Sequence, residues 1–524
     1  MNTAPLSNVI PFKSPLPANW RPLLGVGAVL LGTLTAILNS RLTDIGLGDI
    51  RGALGVGVDE ASWLSTSYVV AEVAAVPSAV WLRGILSPAR GVMLGALVFT
   101  VLSLIAPLSP TLSILLIIQA LRGLSAGALI PMAYAVVMRN LPQHHRLYGL
   151  SLYALTSSLT PSLSVYIEAW VMEHLTWHYL FWLNVLPGAF TLFAAAYGLT
   201  GSPVKYMSFR RPDAFGLVSL SLGLAALVAA FDQGNRLDWL ASGTIVSLLA
   251  TGLLFITAYF LHSWFHPRPA VSPKLLIRPN VILPLSFMFV TRIALMSSVM
   301  IVPQYLARVH GYRALENAPL FLTAALPQVL LAPLVAWLCY RVDPRNILPL
   351  GGILTGAGLL LGSNLTSLWT DDQMMPSLLL QSIGGPFLAI PIMAIITEDI
   401  TLAEIPSIAS LVHIFRTVGT AVGVALVGTV LRIQEQVHSN LIGLHVRADD
   451  TTVVERIGTL ARGFASAGME ETVAPATVMI ARTVQREAYV MAYADGFIML
   501  GLLILLTTMV SVIIRPTKLP GKLL

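Results

Sequence analysis

Charged side chains occur inside long apolar runs of this sequence. Glu72, Arg122, Arg292 and Arg416 each lie within a separate run of mostly hydrophobic residues. A charge at the centre of a lipid bilayer costs roughly 3 kcal/mol on insertion scales, so it persists only where it is paired, hydrated or used. We therefore expect these four side chains to face a polar interior between helices.

Proton exchange is the chemistry that such residues can perform. A carboxylate in a low-dielectric cavity can take up and release protons when desolvation and a nearby arginine tune its ionisation. Glu72, near the middle of its run, is the first candidate for a proton-coupling group, and a structural ion pair with Arg41 or Arg122 is the alternative. His413 precedes Arg416 by three residues and shares its helical face, so it is either a proton relay or a packing residue.

The first apolar run ends in a group of polar residues. Asn39, Arg41 and Asp44 lie there, and Arg41 and Asp44 are three residues apart, so they can share one face of a helix. Asp44 is a further candidate for proton coupling, with a hydrated helix end as the alternative interpretation. Asn39 and Arg41 are candidates for lining a substrate cavity.

The remaining candidate cavity residues are polar or basic. They are Gln119, Arg122, Arg292 and Arg416. With Arg41, the arginines outnumber the one clear mid-span carboxylate, so we expect a cavity of positive potential. This charge predicts an amphipathic organic anion, such as an aromatic or fatty acid, as the substrate in preference to a lipophilic cation.

The composition is that of a polytopic membrane protein. Of 524 residues, 56% are hydrophobic and 11% are charged, and the mean hydropathy is +0.79, whereas soluble domains carry about 25% charged residues. The net charge of +6 is spread over short loops, which favours membrane topology over nucleic-acid binding. Cys339 is the single cysteine, so an internal disulfide is excluded, and no metal site is predicted. The sequence contains no G-x-x-x-x-G-K-S/T loop, so we expect a proton gradient to supply the energy, with no cofactor.

Apolar runs long enough to cross a bilayer as helices, which takes about 20 residues, recur along the chain. Lysines and arginines of the short connections are concentrated on the side of the N-terminus, which lacks a secretory signal, so both termini are predicted to be cytoplasmic. The predicted spans are 22–44, 61–82, 92–108, 111–137, 148–170, 178–199, 214–231, 241–263, 281–305, 317–338, 347–363, 375–397, 407–430 and 490–514.

Two further patterns concern how these spans pack. Trp81-Leu82 in one basic inner loop is echoed by Trp337-Leu338 in another, which indicates two related halves unless the similarity of two basic loops is chance. Pairs of glycines four residues apart predict helices in close contact. The pairs are Gly123 and Gly127, Gly352 and Gly356, and Gly419 and Gly423.

Several motifs together resemble those of a known family. They are LNSRLTDIGLGDIRGALG, EASWLSTSYVVAEVAAVPSAVWL, QALRGLSAGALIPM, LTWHYLFWLNVLPG, DQGNRLDW, VPQYLARVHGY and HIFRTVGTAVG. In order and spacing they resemble the fourteen-span drug:proton antiporter branch of the major facilitator superfamily, of the EmrB/QacA type. The resemblance covers nearly the whole chain. It implies an all-α fold of two six-helix bundles plus two additional transmembrane helices that join the bundles without lining the pathway.

On that basis the chain divides into five parts. They are a cytoplasmic tail over 1–21, a six-helix bundle over 22–199, two additional spans with their linkers over 200–279, a second six-helix bundle over 280–514 that includes a polar periplasmic segment over 432–489, and a cytoplasmic tail over 515–524.

The sequence also departs from the family pattern. Asn39 stands where the first-span motif has an aspartate, and Gln119 stands where the fourth-span motif has an arginine, with Arg122 one helical turn further on. The antiporter motif of the fifth span, normally rich in glycine, reads PSLSVYIEA here. The loop after the second span is reduced to LRGILSPAR.

The sequence therefore predicts an inner-membrane secondary transporter that exports amphipathic, drug-like organic compounds in exchange for protons. A dedicated metabolite or organic-acid carrier, working in either direction, is the alternative, and the altered antiporter motif favours it. Some relatives work with a periplasmic adaptor and an outer-membrane channel, so the resemblance implies these partners besides the small-molecule substrate, protons and lipid. An enzyme is not expected, because His144-His145 is the one conspicuous cluster outside the spans and no acid accompanies it.

Overall fold

The computed structural model describes residues 20–40, 46–199, 213–267, 269–398, 400–447, 449–466 and 472–516. Within these ranges the chain is helical and contains no β-strand, as the sequence predicts. The first seven long helices are α1 (Arg21–Asn39), α2 (Trp63–Ile85), α3 (Pro88–Ile105), α4 (Leu112–Asn140), α5 (Arg146–His174), α6 (Val185–Gly198) and α7 (Ala214–Gln233). The next seven are α8 (Gly243–Phe265), α9 (Pro279–Ala294), α10 (Ala314–Arg341), α11 (Pro344–Gly362), α12 (Asp371–Glu398), α13 (Ile405–Gly443) and α14 (Val473–Val510).

Each predicted span corresponds to one of these helices. Twelve helical stretches of the described chain are long and apolar enough to cross a membrane. The other two predicted spans are α5 and α11, which are helices of 29 and 19 residues. Serine and threonine side chains make α5 less apolar, and several of them are buried.

The long helices form two bundles, and helices of one bundle pack against helices of the other in two places. Helices α1 to α6 pack among themselves, and so do α9 to α14. The bundles touch where α5 packs against α10 and α12, and where α2 and α4 pack against α13. This arrangement leaves room for a cavity between the bundles, which is how many secondary transporters are built.

The two additional helices differ in their relation to the bundles. Helix α7 packs against both α2 and α13, so it bridges the two bundles, whereas α8 packs mainly against α7. The expectation that neither helix would line the pathway is wrong for α7. Asp232 and Gln233 in its last turn line the mouth of the central cavity. The hydropathy of a span does not reveal this, because one polar turn at the end of an apolar helix leaves the average almost unchanged.

Helices α13 and α14 are longer than their predicted spans. Helix α13 has 39 residues and α14 has 38, so most of the polar segment predicted over 432–489 is helical, with a further helix at Thr451–Ser466. A helix satisfies its own backbone hydrogen bonds in water as well as in lipid, so a fall in hydropathy does not mark its end. His438 and Asp495 join the two helices, with 2.7 Å between Nε2 and Oδ2.

The glycine pairs lie at close helix contacts, as predicted. A Cβ atom built on Gly123 would collide with the carbonyl oxygen of Tyr68, and one on Gly127 would collide with that of Glu72. The missing side chains thus let the backbone of α4 touch the backbone of α2. On α13, a Cβ on Gly419 would lie 3.1 Å from Cβ of Arg292. These glycines therefore place two charged candidates, Glu72 and Arg292, beside their neighbouring helices.

Replacing Gly127 by alanine is expected to destabilise the protein by about 1–3 kcal/mol, because the new methyl group meets a backbone oxygen that cannot move aside as a side chain could. Thermal unfolding of the purified protein in detergent would measure the loss. Gly27→Ala in α1 is the matched control, since a Cβ there meets nothing within 4 Å. Equal melting temperatures for the two variants would contradict the close contact of α2 and α4.

Candidate functional site

A cluster of three titratable or charged side chains joins the two bundles. Glu72 on α2 faces His413 and Arg416 on α13, and all three are buried. Nε2 of His413 lies 3.1 Å from Oε1 of Glu72, and a guanidinium nitrogen of Arg416 lies 3.7 Å from the same oxygen. The sequence predicted a shared face for His413 and Arg416, and the structure adds that Glu72 is their common partner.

The hydrogen bond within α13 defines the state of the histidine. Arg416 donates to Nδ1 of His413 at 2.6 Å. Because a guanidinium has no acceptor, Nδ1 must be unprotonated, so a neutral His413 carries its proton on Nε2, towards Glu72. That nitrogen is close to Glu72 but is not aligned for a hydrogen bond. The cluster therefore combines the carboxyl group of Glu72 on α2 with the guanidinium of Arg416 and a neutral imidazole on α13.

The Glu72 cluster opens on a large cavity between the bundles. The cavity has a volume of about 570 Å³, and Glu72, Arg292 and Arg416 line its inner part. Ser62, Arg236 and Tyr312 lie at its mouth, which is at the end of the bundles opposite the start of α1. A cavity of this volume is large enough to admit a drug-sized compound.

The other end of the bundles is closed. Leu147 at the start of α5 donates its backbone N–H to the hydroxyl of Tyr340 on α10 at 3.2 Å, and the rings of Tyr148 and Tyr340 lie 5.8 Å apart. Between α2 and α13, Ser410 donates to the carbonyl of Val76 at 3.4 Å. In the described part of the chain, these contacts join the two bundles at this end, while the large cavity opens at the other end.

A smaller side cavity branches from the large one into the second bundle. It has a volume of about 80 Å³ and shares Ser157, Arg292, Leu295 and Arg416 with the large cavity. No acidic residue of the described chain lines it. Its wall combines hydroxyl and amide groups with an apolar surface that includes Met288, Phe321, Leu388 and Ile392.

Arg292 lies where the two cavities meet. Its guanidinium donates to the backbone oxygen of Ser157 at 3.2 Å and to the hydroxyl of the same residue at 2.6 Å. Among the described residues, no carboxylate lies within salt-bridge distance of it. The positive charge of Arg292 is therefore available to a ligand in either cavity.

Among the described residues, the large cavity does not carry the excess of positive charge that the sequence predicted. Arg292, Arg416 and Arg236 line the large cavity together with three acids, Glu72, Glu168 and Asp232, the last two towards the mouth. Counted over the described residues, the side cavity has an excess of positive charge and the large cavity does not. The sequence could not show this, because hydropathy does not reveal which faces of distant helices meet.

Three of the predicted cavity residues form a separate cluster inside the first bundle. Arg122 on α4 is fully buried and donates to Asn39 and Gln119, each at 2.5 Å, and to Ser103 at 3.1 Å. Its guanidinium also lies over the rings of Phe99 and Phe181, about 5 Å from each centroid. Asn39, Gln119 and Arg122 are absent from the lining of both cavities described above. Their predicted contact with substrate stays a prediction.

Lysine is not expected to replace Arg122. A lysine ammonium cannot reach three acceptors in one plane or stack between two rings, and each hydrogen bond to a charged group is worth about 1.5–3 kcal/mol. We expect Arg122→Lys to lower the free energy of unfolding by about 3 kcal/mol, read as a lower melting temperature in detergent. Arg313→Lys is the control, because Arg313 is largely exposed and its ion pair is long. A wild-type melting temperature for Arg122→Lys would show that the network adds little to stability.

Two of the predicted site residues fall outside the described part of the chain, and two residues that line the cavity were not predicted. Arg41 and Asp44 lie outside the described residues. Asp232 was missed as a cavity residue although it begins the DQGNRLDW motif; it accepts a hydrogen bond from Thr66 on α2. Ser157 was missed because one serine in the polar run of α5 carries no distinguishing signal. Its role as the partner of Arg292 depends on the docking of α9 near α5.

An all-helical protein with charged side chains around a cavity between two bundles has the architecture of a secondary transporter. The family model described as Major Facilitator Superfamily matches residues 29–321, which is more than half of the chain. The chain belongs to the major facilitator superfamily, and the resemblance drawn from its motifs is confirmed.

Several named proteins are similar in sequence to this chain over most of its length. It is 24% identical over 485 residues to the colistin resistance protein EmrB of Acinetobacter baumannii, covering 93% of this chain and 94% of that protein. It is 23% identical to the multidrug export protein EmrB of Haemophilus influenzae, covering 80% and 82%, and 23% identical to the fatty acid resistance protein FarB of Neisseria gonorrhoeae, covering 82% and 85%.

Solved structures show the same fold at low sequence identity. A POT family transporter in complex with a thioalcohol conjugated peptide matches with a TM-score of 0.58 and 14% identity, covering 93% of this chain and 95% of that chain. At this identity the likeness concerns the fold alone.

Proposed function

We propose that this protein exports amphipathic organic compounds across the inner membrane in exchange for protons. The observation that carries the proposal is the Glu72–His413–Arg416 cluster, which lies between the bundles and faces the large cavity. Relatives named for multidrug export and for resistance support export as the direction. A catalytic role is not proposed, since the family and the fold are those of transporters.

Glu72 is the proposed proton-binding group. With both termini in the cytoplasm, the large cavity opens to the periplasmic side, so a proton from outside reaches Glu72 through it. Protonation removes the negative charge that attracts Arg416 of α13 towards α2, which weakens one of the contacts between the bundles. Rocking of the bundles then exposes Glu72 to the cytoplasm, where a substrate displaces the proton.

Exchange requires that proton and substrate exclude each other. A cationic compound satisfies this condition because it competes with the proton for the carboxylate of Glu72, and by linkage each ligand lowers the affinity for the other. The apolar walls of the two cavities would hold the hydrophobic part of such a compound. The proton gradient supplies the energy, and no cofactor is needed.

Transport into inside-out vesicles tests the proposal. We expect a fluorescent lipophilic cation to accumulate in vesicles with an acidic lumen that contain the protein, and to leave when a proton ionophore collapses the pH gradient. Vesicles without the protein report passive entry. Accumulation that is the same with and without the gradient would refute proton exchange.

An organic-acid carrier is the second candidate function, and the side cavity favours it. Arg292 and Arg416 line this cavity without an acid, which suits a carboxylate headgroup with an apolar tail beyond it. The relative named for fatty acid resistance is in line with such a substrate. An anion held by Arg416 withdraws that arginine from Glu72 and so favours its protonation. Anion and proton would then bind together, and the carrier would not be an exchanger.

The partners and orientation remain part of the proposal. The inner membrane and cytoplasmic termini follow from the distribution of basic residues. The long helical extensions of α13 and α14, with Thr451–Ser466 between them, lie on the periplasmic side in this orientation. They offer a surface to an adaptor that leads to an outer-membrane channel.

A further inference from the structure

Two histidines and an aspartate meet at one end of the two additional helices. His262 lies in the last turn of α8, and His266 follows directly after that helix. Asp213 caps the start of α7, and its Oδ1 lies 2.8 Å from Nε2 of His262. One ligand atom from each of the three residues lies within 4.8 Å of the other two.

We propose that Asp213, His262 and His266 bind a divalent transition metal ion such as Zn²⁺. Imidazole nitrogen and carboxylate oxygen are ligands that zinc accepts, and three protein ligands plus water make a four-coordinate site. Metal–ligand distances of about 2.0–2.2 Å place tetrahedral ligand atoms about 3.3 Å apart. Oδ1 of Asp213 and Nε2 of His262 are 2.8 Å apart, and the ligand atoms of the three residues all lie within 4.8 Å of one another, so small side-chain movements would give this spacing. No local sequence pattern reveals this site, because Asp213 is far from the two histidines along the chain.

The surroundings of Asp213 support ligation. Its side chain is 1% exposed and accepts hydrogen bonds from the backbone N–H of Gly216 at 2.8 Å and of Ala270 at 3.1 Å. Oδ1 is also the oxygen that faces Nε2 of His262, and such backbone contacts orient ligating carboxylates in metal sites. The site is therefore oriented on the aspartate side before any metal arrives.

The two histidine rings lie close together, and a metal ion can reach them from solvent. His266 comes four residues after His262, just beyond the end of α8, and the two rings have centroids 5.1 Å apart. The side chain of His262 is 34% exposed, so a metal ion and a coordinating water can enter. Bound metal would tie the end of α8 to the start of α7, which is its main neighbour in the fold.

Cobalt and zinc titration of the full-length protein in detergent, after removal of any histidine tag, tests the proposal. We expect one equivalent of Co²⁺ to produce the d–d absorption of a tetrahedral site and Zn²⁺ to displace it. His266→Ala should weaken Zn²⁺ binding at least about tenfold. Asp213→Asn should weaken it as well, although asparagine still caps the helix and so keeps the fold.

His144→Ala is the control, because His144 and His145 are adjacent, with ring centroids 4.1 Å apart, in a different part of the structure. It should bind Zn²⁺ as wild type does. The proposal is overturned if binding does not saturate near one equivalent, or if His266→Ala binds as tightly as wild type. Such a result would leave His262 and Asp213 as an ordinary ion pair. Because transport is not the readout, this test is independent of the proposed function.

Discussion

Replacing Glu72 by glutamine is expected to abolish proton release when the purified protein binds a lipophilic cation. In the wild type, the cation competes with the proton for the one carboxylate that faces both Arg416 and His413. Glutamine has nearly the same shape as glutamate but carries no carboxyl proton. The cation should therefore still bind to the variant, but without release of a proton. A pH-indicator dye in weakly buffered detergent solution would measure the change. Accumulation driven by a pH gradient in vesicles should be lost in the same variant.

The matched control is Glu455→Gln, an exposed acid on the helix Thr451–Ser466 outside both cavities. It should release protons as wild type does. Unchanged release in Glu72→Gln would make Glu72 structural and direct attention to Asp44, which lies outside the described residues, and to His413. The sign of the signal is also informative. An organic acid that binds Arg416 is expected to cause proton uptake, because it removes the cation that stabilises ionised Glu72.

Neutralising Arg292 is expected to weaken the binding of amphipathic organic acids strongly while sparing cations. Arg292 lies between the two cavities, and among the described residues no carboxylate pairs with it. An anionic headgroup can therefore interact with the full positive charge of Arg292. A charge-assisted hydrogen bond is worth about 1.5–3 kcal/mol, which corresponds to about a 10- to 150-fold loss of affinity in Arg292→Gln. Titration calorimetry with a medium-chain fatty acid would measure this loss.

Arg278→Gln serves as the control for the change in total charge. Arg278 pairs with Glu404 at 2.7 Å in an exposed position outside both cavities. Its loss should leave the affinity for acids unchanged. If cations bind and acids do not, and Arg292→Gln alters neither, the anionic substrate class is refuted and export of cations in exchange for protons remains.

The fold followed from the sequence with few errors. Apolar runs of sufficient length predicted the helices, and the glycine pairs predicted where helices touch. The ends of α13 and α14 and the lining role of α7 were not predicted. Each of these features depends on polar residues at the end of a span. The hydropathy of such residues is low in a solvated helix and in a loop alike, so it does not distinguish the two.

The candidate site was predicted in parts. Glu72, Arg292 and Arg416 were proposed because a charge in an apolar run needs a polar partner, and His413 because it precedes Arg416 by three residues. Arg122 was identified on the same argument, yet it lies in a closed network with Asn39 and Gln119. The cost of burying a charge indicates that a partner exists, but it does not indicate whether that partner is another residue or a substrate.

The sequence by itself determined that this chain is a polytopic helical membrane protein of the major facilitator superfamily, because hydropathy and local motifs are properties of contiguous residues. Only the tertiary structure decided which charges share a cavity. Glu72 and His413 are more than three hundred positions apart along the chain, and their contact depends on how α2 and α13 are rotated against each other. That rotation is set by packing over the whole helix interface, which no local pattern encodes.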